Sequence, residues 1–220
     1  MHSFIVLDYS IYHIGYMQIL LIDDNEKLCM LYQKLLSRGG HETRIETHAK
    51  DALEAIRMAR PDLILLDIMM EPVSGWEVLE QIRSTPDVAD IPVIILTGKV
   101  LTPQEAVKYG MMIEGFVMKP LEQTMLLKAI DDIKQVLDES EERYKKAISS
   151  GLPPEKAAAC RDAIKKNNIL QFLRDNLSKQ EQLLKNEGND TLEILHSLDG
   201  LKEMIATEYQ KIHQTMENCP

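Results

Sequence analysis

Short, wholly apolar runs alternate along the first part of the chain with stretches whose apolar residues recur every three or four positions. Residues 19–22, 63–66 and 93–96 are apolar throughout and too short for helices, the pattern of strands buried on both faces. Residues 43–47 read as a weaker strand, and Phe116-Val117 sits in a short fifth one. Between them lie helical patterns. Leu28, Leu31, Leu35 and Leu36 mark residues 26–38, which Gly39-Gly40 ends. Leu53, Ala55, Ile56 and Ala59 mark a short helix over 51–58, and Val78, Leu79 and Ile82 mark one over 75–82. Thr102-Pro103 opens another, with proline at the first helical position where its missing N–H costs nothing, and Gly110 closes it. Leu126, Leu127, Ile130, Ile133 and Leu137 define a last helix over 121–137. Strand followed by helix, five times, predicts an α/β fold: a doubly wound, five-stranded parallel sheet with helices on both faces.

From Ser140 onward the β pattern stops. Gly151-Leu152-Pro153-Pro154 interrupts the chain, and Pro154-Glu155-Lys156 opens a helix that extends to about Lys185, with Ile164, Leu170, Leu173, Leu177 and Leu184 as its apolar positions. Gly188-Asn189-Asp190 reads as a turn, with Asp190 and Glu193 fitting a capping box. Ile194, Leu198, Leu201, Ile205 and Ile212 form a heptad-like seam on the final helix, but Glu208 falls at a core position of that frame. A helical hairpin, complete in one chain or in a dimer, fits better than a long coiled coil. The expected organisation is an N-terminal extension over 1–16, an α/β domain over 17–139 and a helical region over 140–220. Residues 138–149 have high helix propensity and pairable charges, so a rigid continuation of the preceding helix is an alternative to a flexible link. The first sixteen residues read either as an extra segment or as the product of a start codon placed too early.

The net charge of -10 comes mainly from the α/β part, and the helical region is nearly balanced. Neither part offers the positive field that nucleic-acid backbones reward, so nucleic acid is not expected as a partner. No stretch approaches the ~18 apolar residues of a membrane span, and a cytoplasmic protein without membrane association is expected. The cysteines, Cys29, Cys160 and Cys219, are far apart without metal-ligand spacing; reduced thiols are expected, with Cys29 and Cys160 packed as small hydrophobes.

Candidate chemistry gathers where the strands end. Asp23 and Asp24 follow the first strand, Asp67 follows the third, and Thr97 and Lys119 end the fourth and fifth. In an open parallel sheet these positions share the carboxyl edge, where such folds place their sites. Three carboxylates point to Mg²⁺, which takes oxygen ligands and keeps waters for the rest; Asp23, Asp24, Asp67 and the backbone carbonyl of Met69 are the candidate ligands. Asp67 is the candidate nucleophile for a phosphoryl group, since aspartate forms acyl phosphates. Lys119 supplies a point charge to the phosphoryl oxygens and Thr97 a hydroxyl, while Gly98 lets the backbone come close. Each residue alone reads more simply as a helix cap or a loop residue; the joint placement carries the inference.

The segments Leu21-Ile22-Asp23-Asp24-Asn25, Asp67-Ile68-Met69-Met70-Glu71-Pro72-Val73-Ser74-Gly75, Thr97-Gly98 and Val117-Met118-Lys119-Pro120 resemble the receiver domain of two-component response regulators, across about residues 17–139. That resemblance implies a flavodoxin-like receiver fold, Asp67 as phosphoacceptor, Asp23 and Asp24 as the acidic metal pair, and Thr97 and Lys119 as readers of the phosphoryl group. It further implies a cis bond before Pro120 and Phe116 as a rotameric switch coupling phosphorylation to the surface of the last two receiver helices. A sensor histidine kinase or phosphotransfer protein is the implied donor, with self-catalysed phosphotransfer and dephosphorylation rather than metabolic catalysis. The sequence departs from the family pattern at Glu71-Pro72, where the proline comes one position late, and between Gly110 and Phe116, where the connection is about two residues longer.

A haloacid-dehalogenase-type phosphatase uses similar groups, but its nucleophile opens a DxD motif at the first strand, which Asp23-Asp24-Asn25 lacks. For the helical region, a protein-interaction or dimerisation module is expected, signalling to a downstream protein, with a homodimer as an open option. The alternatives are a DNA-binding regulator and a phosphorelay through His196.

Overall fold

The computed structural model describes residues 16–98, 102–119, 123–187, 192–217 and 219. Five parallel strands, β1 (Gln18–Ile22), β2 (Glu42–Glu46), β3 (Leu63–Leu66), β4 (Val93–Thr97) and β5 (Gly115–Met118), form one sheet in the order β2-β1-β3-β4-β5. β1, β3 and β4 are buried almost throughout because both faces are covered. Leu20, Ile22, Ile64, Leu66 and Ile95 face one helical layer, and Ile19, Leu21, Leu63, Leu65 and Ile94 face the other. Each such side chain contributes about 1.5–3 kcal/mol on burial, which makes the sheet the stable platform of the molecule.

Five helices follow the strands in turn: α1 (Glu26–Arg38), α2 (Ala52–Ala59), α3 (Gly75–Ser84), α4 (Pro103–Tyr109) and α5 (Gln123–Ser149). Their starts are chemically marked. Asn25 caps α1 by accepting from Leu28 N, and Ser74 caps α3 by accepting from Glu77 N. α4 begins on a capping box, in which Thr102 Oγ1 accepts from Glu105 N while a Glu105 carboxylate oxygen accepts from Thr102 N and Oγ1. A 3-10 turn over Ala49–Asp51 precedes α2, and a second over Gly110–Met112 fills the longer connection into β5.

α5 does not stop near Leu137. It runs through residue 140 to Ser149, with Ser140 and Ala147 fully buried along the stripe that starts at Leu126 and Ile130. The break comes at Gly151, whose φ of +88° suits glycine and few other residues. Two long helices follow, α6 (Pro154–Glu187) and α7 (Leu192–Glu217). α6 packs back along α5, and α7 packs along α6, giving the expected hairpin within one chain. Ala157, Cys160, Ala163 and Ile164 form the buried face of α6 near its start, and the Arg161 guanidinium lies 5.4 Å from the Tyr144 ring of α5. Ile205 and Ile212 of the α7 seam are buried, while Glu208 is only partly exposed and pairs with Lys211 along its own helix.

One expectation needs correcting. Cys160 is not a reduced core thiol: it forms a disulfide with Cys219, because the hairpin brings the first turns of α6 beside the end of α7 across 59 residues of sequence. Sequence distance hid this pairing. The cis X–Pro bond among the described residues is Glu71–Pro72. The Lys119–Pro120 bond, the turn at 188–190 with its capping box, and residues 1–15 lie outside the described residues.

Candidate functional site

β1 and β3 are neighbours whose chains depart to opposite faces, so the crevice beyond their carboxyl ends is the natural place for a site. Ile22 is in register with Leu66, which sets Asp23 and Asp67 side by side one residue later. Thr97 closes β4 and Lys119 follows β5, held to Thr97 by its N–H donating to the Thr97 carbonyl at 2.8 Å. Regular strand ends thus bring four of the five predicted groups together.

Lys119 is the hub. Its Nζ donates to Asp23 Oδ2 at 2.5 Å and to Asp67 Oδ2 at 2.9 Å. Asp23 is fully buried and Asp67 nearly so, and a buried carboxylate needs such a partner. Burial opposes the charge on Lys119, but hydrogen bonds to the two aspartates outweigh it and hold the ammonium above its ordinary range. Backbone donors take the other oxygens: Asn25 N binds Asp23 Oδ1 at 2.8 Å and Met69 N binds Asp67 Oδ1 at 3.1 Å. Asp24 is exposed at the mouth, and its Oδ2 accepts from Glu71 N at 3.1 Å. It is turned toward the β3–α3 loop while Asp23 and Asp67 share the lysine.

The loop after Asp67 is fixed by close packing. A Cβ on Gly75 would lie 2.0 Å from the Asp67 carbonyl oxygen and 2.7 Å from Ile68 Cα. Only glycine lets α3 start this close to the site. The Met69 side chain is 58% exposed, so its apolar surface lines the entrance rather than the core. Thr97 is fully buried, and Gly98 next to it faces open space. Phe116 is packed in the core with Trp76, Tyr109 and Ile113. Cys29 donates from Sγ to the Asp23 carbonyl, and burial pushes its thiol up to about 12, so it stays protonated beside the pocket. His196 belongs to the helical backbone of α7, and its side chain lies outside the described residues.

Two features escaped the sequence reading. Glu46, His48 and Asp51 bring ligand atoms within 4.8 Å of one another, an arrangement able to hold a metal ion. The sequence hid it by carrying the second strand on to residue 47, whereas Glu46 ends β2 in register with Ile22, at the same edge as Asp23. The other is Trp76, which the sequence reading did not single out and which stacks on Tyr109 of α4.

Residues 19–131 match the sequence profile of the response regulator receiver domain. The polar-differentiation response regulator DivK of Brucella anthropi is 33% identical over 104 residues, covering 47% of this chain and 84% of DivK. The response regulator MprA of Mycobacterium leprae is 36% identical over 83 residues, 38% of this chain, and the match spans 36% of MprA's own length. A solved response regulator from Desulfuromonas acetoxidans superposes with a TM-score of 0.50 at 26% identity, covering 55% of this chain and 98% of that one. The profile match ends at residue 131, before α6 and α7.

Proposed function

The chain belongs to the response regulator receiver domain family, and on that premise we propose that Asp67 is its phosphoacceptor, charged by a sensor histidine kinase or a phosphotransfer protein. The family acts by phosphoacceptor signalling, with phosphotransfer and dephosphorylation catalysed by the receiver itself. The observation that carries the assignment is the contact of Lys119 Nζ with both Asp67 and Asp23 at the carboxyl edge.

In the transfer, an Asp67 carboxylate oxygen attacks phosphorus in line. The new O–P bond forms as the P–N bond to the donor imidazole breaks, and the electron pair leaves with the imidazole. Lys119 trades its contact with the Asp67 carboxylate for a phosphoryl oxygen, and the Thr97 hydroxyl donates to another. Asp23, Asp24 and Asp67 with the Met69 carbonyl would hold Mg²⁺, which accepts all-oxygen ligands, once the Asp24 carboxylate turned from the β3–α3 loop toward the other two. Bound there, Mg²⁺ supplies positive charge against the phosphoryl oxygens. Phe116 moves with Thr97 as the switch residue, a shift between two populated arrangements of one fold.

Residues 140–220 then act as a protein-interaction module toward a downstream partner. The near-balanced charge of this region supports a protein rather than a nucleic-acid target. No described helix is long and apolar enough to cross a membrane, which fits a cytoplasmic setting.

Exposure to acetyl phosphate and Mg²⁺, followed by intact-mass analysis, tests the site. One acid-labile phosphoryl group should appear on the wild type and be lost in Asp67→Asn with the fold retained. Label that survives in Asp67→Asn, or an acid-stable label, would assign the phosphate elsewhere.

A further inference from the structure

α4 is held from two sides. On one side the ring of Trp76, the second residue of α3, stacks on Tyr109 with centroids 4.1 Å apart and planes 2° apart. Its indole Nε1 donates to Glu105 Oε1 at 3.0 Å, and Lys108 pairs with Glu80 at 2.7 Å. Glu105 is also the carboxylate of the capping box on Thr102, so the indole is bonded to the group that starts α4. On the other side α7 packs against α4, and α6 packs against the Gly110–Met112 turn that continues it. The longer connection before β5 is therefore part of the surface on which the C-terminal hairpin rests.

Trp76 also adjoins the loop that carries the phosphoacceptor. It follows Gly75, whose backbone is in contact with the Asp67 carbonyl. A displacement of the Asp67 loop reaches Gly75 directly, because the Gly75 N–H donates to the Ile68 carbonyl at 3.2 Å and the two backbones are too close here for a Cβ between them. It passes to the first turn of α3, and the flat aromatic stack with its hydrogen bond carries it to α4.

We propose that Trp76 is a positioning residue through which the state of the Asp67 pocket sets the pose of α4 and thereby the docking of the α6–α7 hairpin. This route runs beside the Thr97–Phe116 pair and rests on the phosphoacceptor reading above. Its first link is the backbone contact of Gly75 with Asp67, its second the stack and the Glu105 bond, and its third the packing of α7 on α4. The hairpin thus covers the α4 surface in the unphosphorylated chain, and its release is the signal that a downstream protein would meet.

The full chain provides its own reporter, since Trp76 is the sole tryptophan. Beryllofluoride with Mg²⁺ should change the Trp76 emission of the wild type and produce a loss of hydrogen-exchange protection in α7, read over residues 203–212. In Trp76→Leu and in Tyr109→Leu, Asp67 should still take the phosphoryl label, but the exchange of α7 should no longer respond to it. Trp76→Phe keeps a ring for the stack and should restore part of the response. If both leucine variants respond as the wild type does, or if labelled wild type leaves α7 exchange unchanged, the coupling is overturned while the phosphoacceptor assignment stands. Failure of the wild type to label at all would overturn both.

Discussion

Among the described residues, the chemistry of His41 is out of keeping with its surroundings. It is 4% exposed, and neither ring nitrogen has a hydrogen-bond partner among the described residues. Burial holds its pKa below the ordinary imidazole value, opposed in part by the charge of Asp131 on α5. Well above pH ~6.5 the ring is neutral whether the chain is folded or unfolded, so it adds no pH dependence there. As pH falls below that value the unfolded chain takes up the proton first, and stability drops until the folded ring also titrates, by at most ~1.4 kcal/mol per pH unit. His41→Leu removes an unpartnered buried polar group and should leave stability at pH 8 equal or higher by on the order of 1 kcal/mol. Urea unfolding at pH 8 and pH 5.5 should show the wild type losing stability relative to the variant on acidification. Parallel losses in the two proteins would mean that His41 is already charged or solvated in the fold. The same reasoning separates His41 from Lys119, whose burial is matched by two carboxylates and whose charge is part of the site.

At the scale of elements, the loop between β3 and α3 decides whether the site exists. Gly75→Ala places a methyl group against the Asp67 carbonyl and Ile68 backbone, neither of which can yield as a side chain would. A cost of about 2–4 kcal/mol is expected, together with slower labelling of Asp67. Gly98→Ala meets nothing within 4 Å and should unfold within about 0.5 kcal/mol of the wild type. Thermal melts of the pair check this, and equal losses would show that Gly75 has room to move. The strands and the groups at their ends were legible because a four-residue apolar run fixes where a buried strand stops, and Asp23, Asp67, Thr97 and Lys119 sit at those stops. The reach of α5 was less legible, because residues 138–149 carry the dense charge of a solvated helix, and only Ser140 and Ala147 betray the side covered by α6. Trp76 was not legible at all. Its partner, Tyr109, lies 33 residues on in the sequence and on another helix, a tertiary contact that periodicity does not encode.

For the whole molecule, the question is how firmly the C-terminal hairpin holds together while it rests on the receiver. The Cys160–Cys219 bond closes a loop spanning nearly all of α6 and α7. Chain-entropy reasoning gives a loop of that size about 4 kcal/mol, an upper value for a segment that keeps residual helix when unfolded. The brace acts on the hairpin alone, since both ends lie within it and the receiver carries only Cys29, which is buried and held protonated. Two probes separate the parts: Trp76 emission follows the receiver, and far-ultraviolet ellipticity is dominated by the long helices α5, α6 and α7. Dithiothreitol, or Cys219→Ser, should lower the urea midpoint of the ellipticity and leave the midpoint of Trp76 emission almost unchanged. A reduced hairpin should also exchange faster in α7 without any phosphoryl group, because a weaker hairpin has less to lose on leaving α4. If the two midpoints fall together, the receiver and hairpin unfold as one unit and the contact of α7 with α4 is stronger than a switchable surface allows. If neither moves, packing of α6 between α5 and α7 suffices, and the bond contributes little to the resting state.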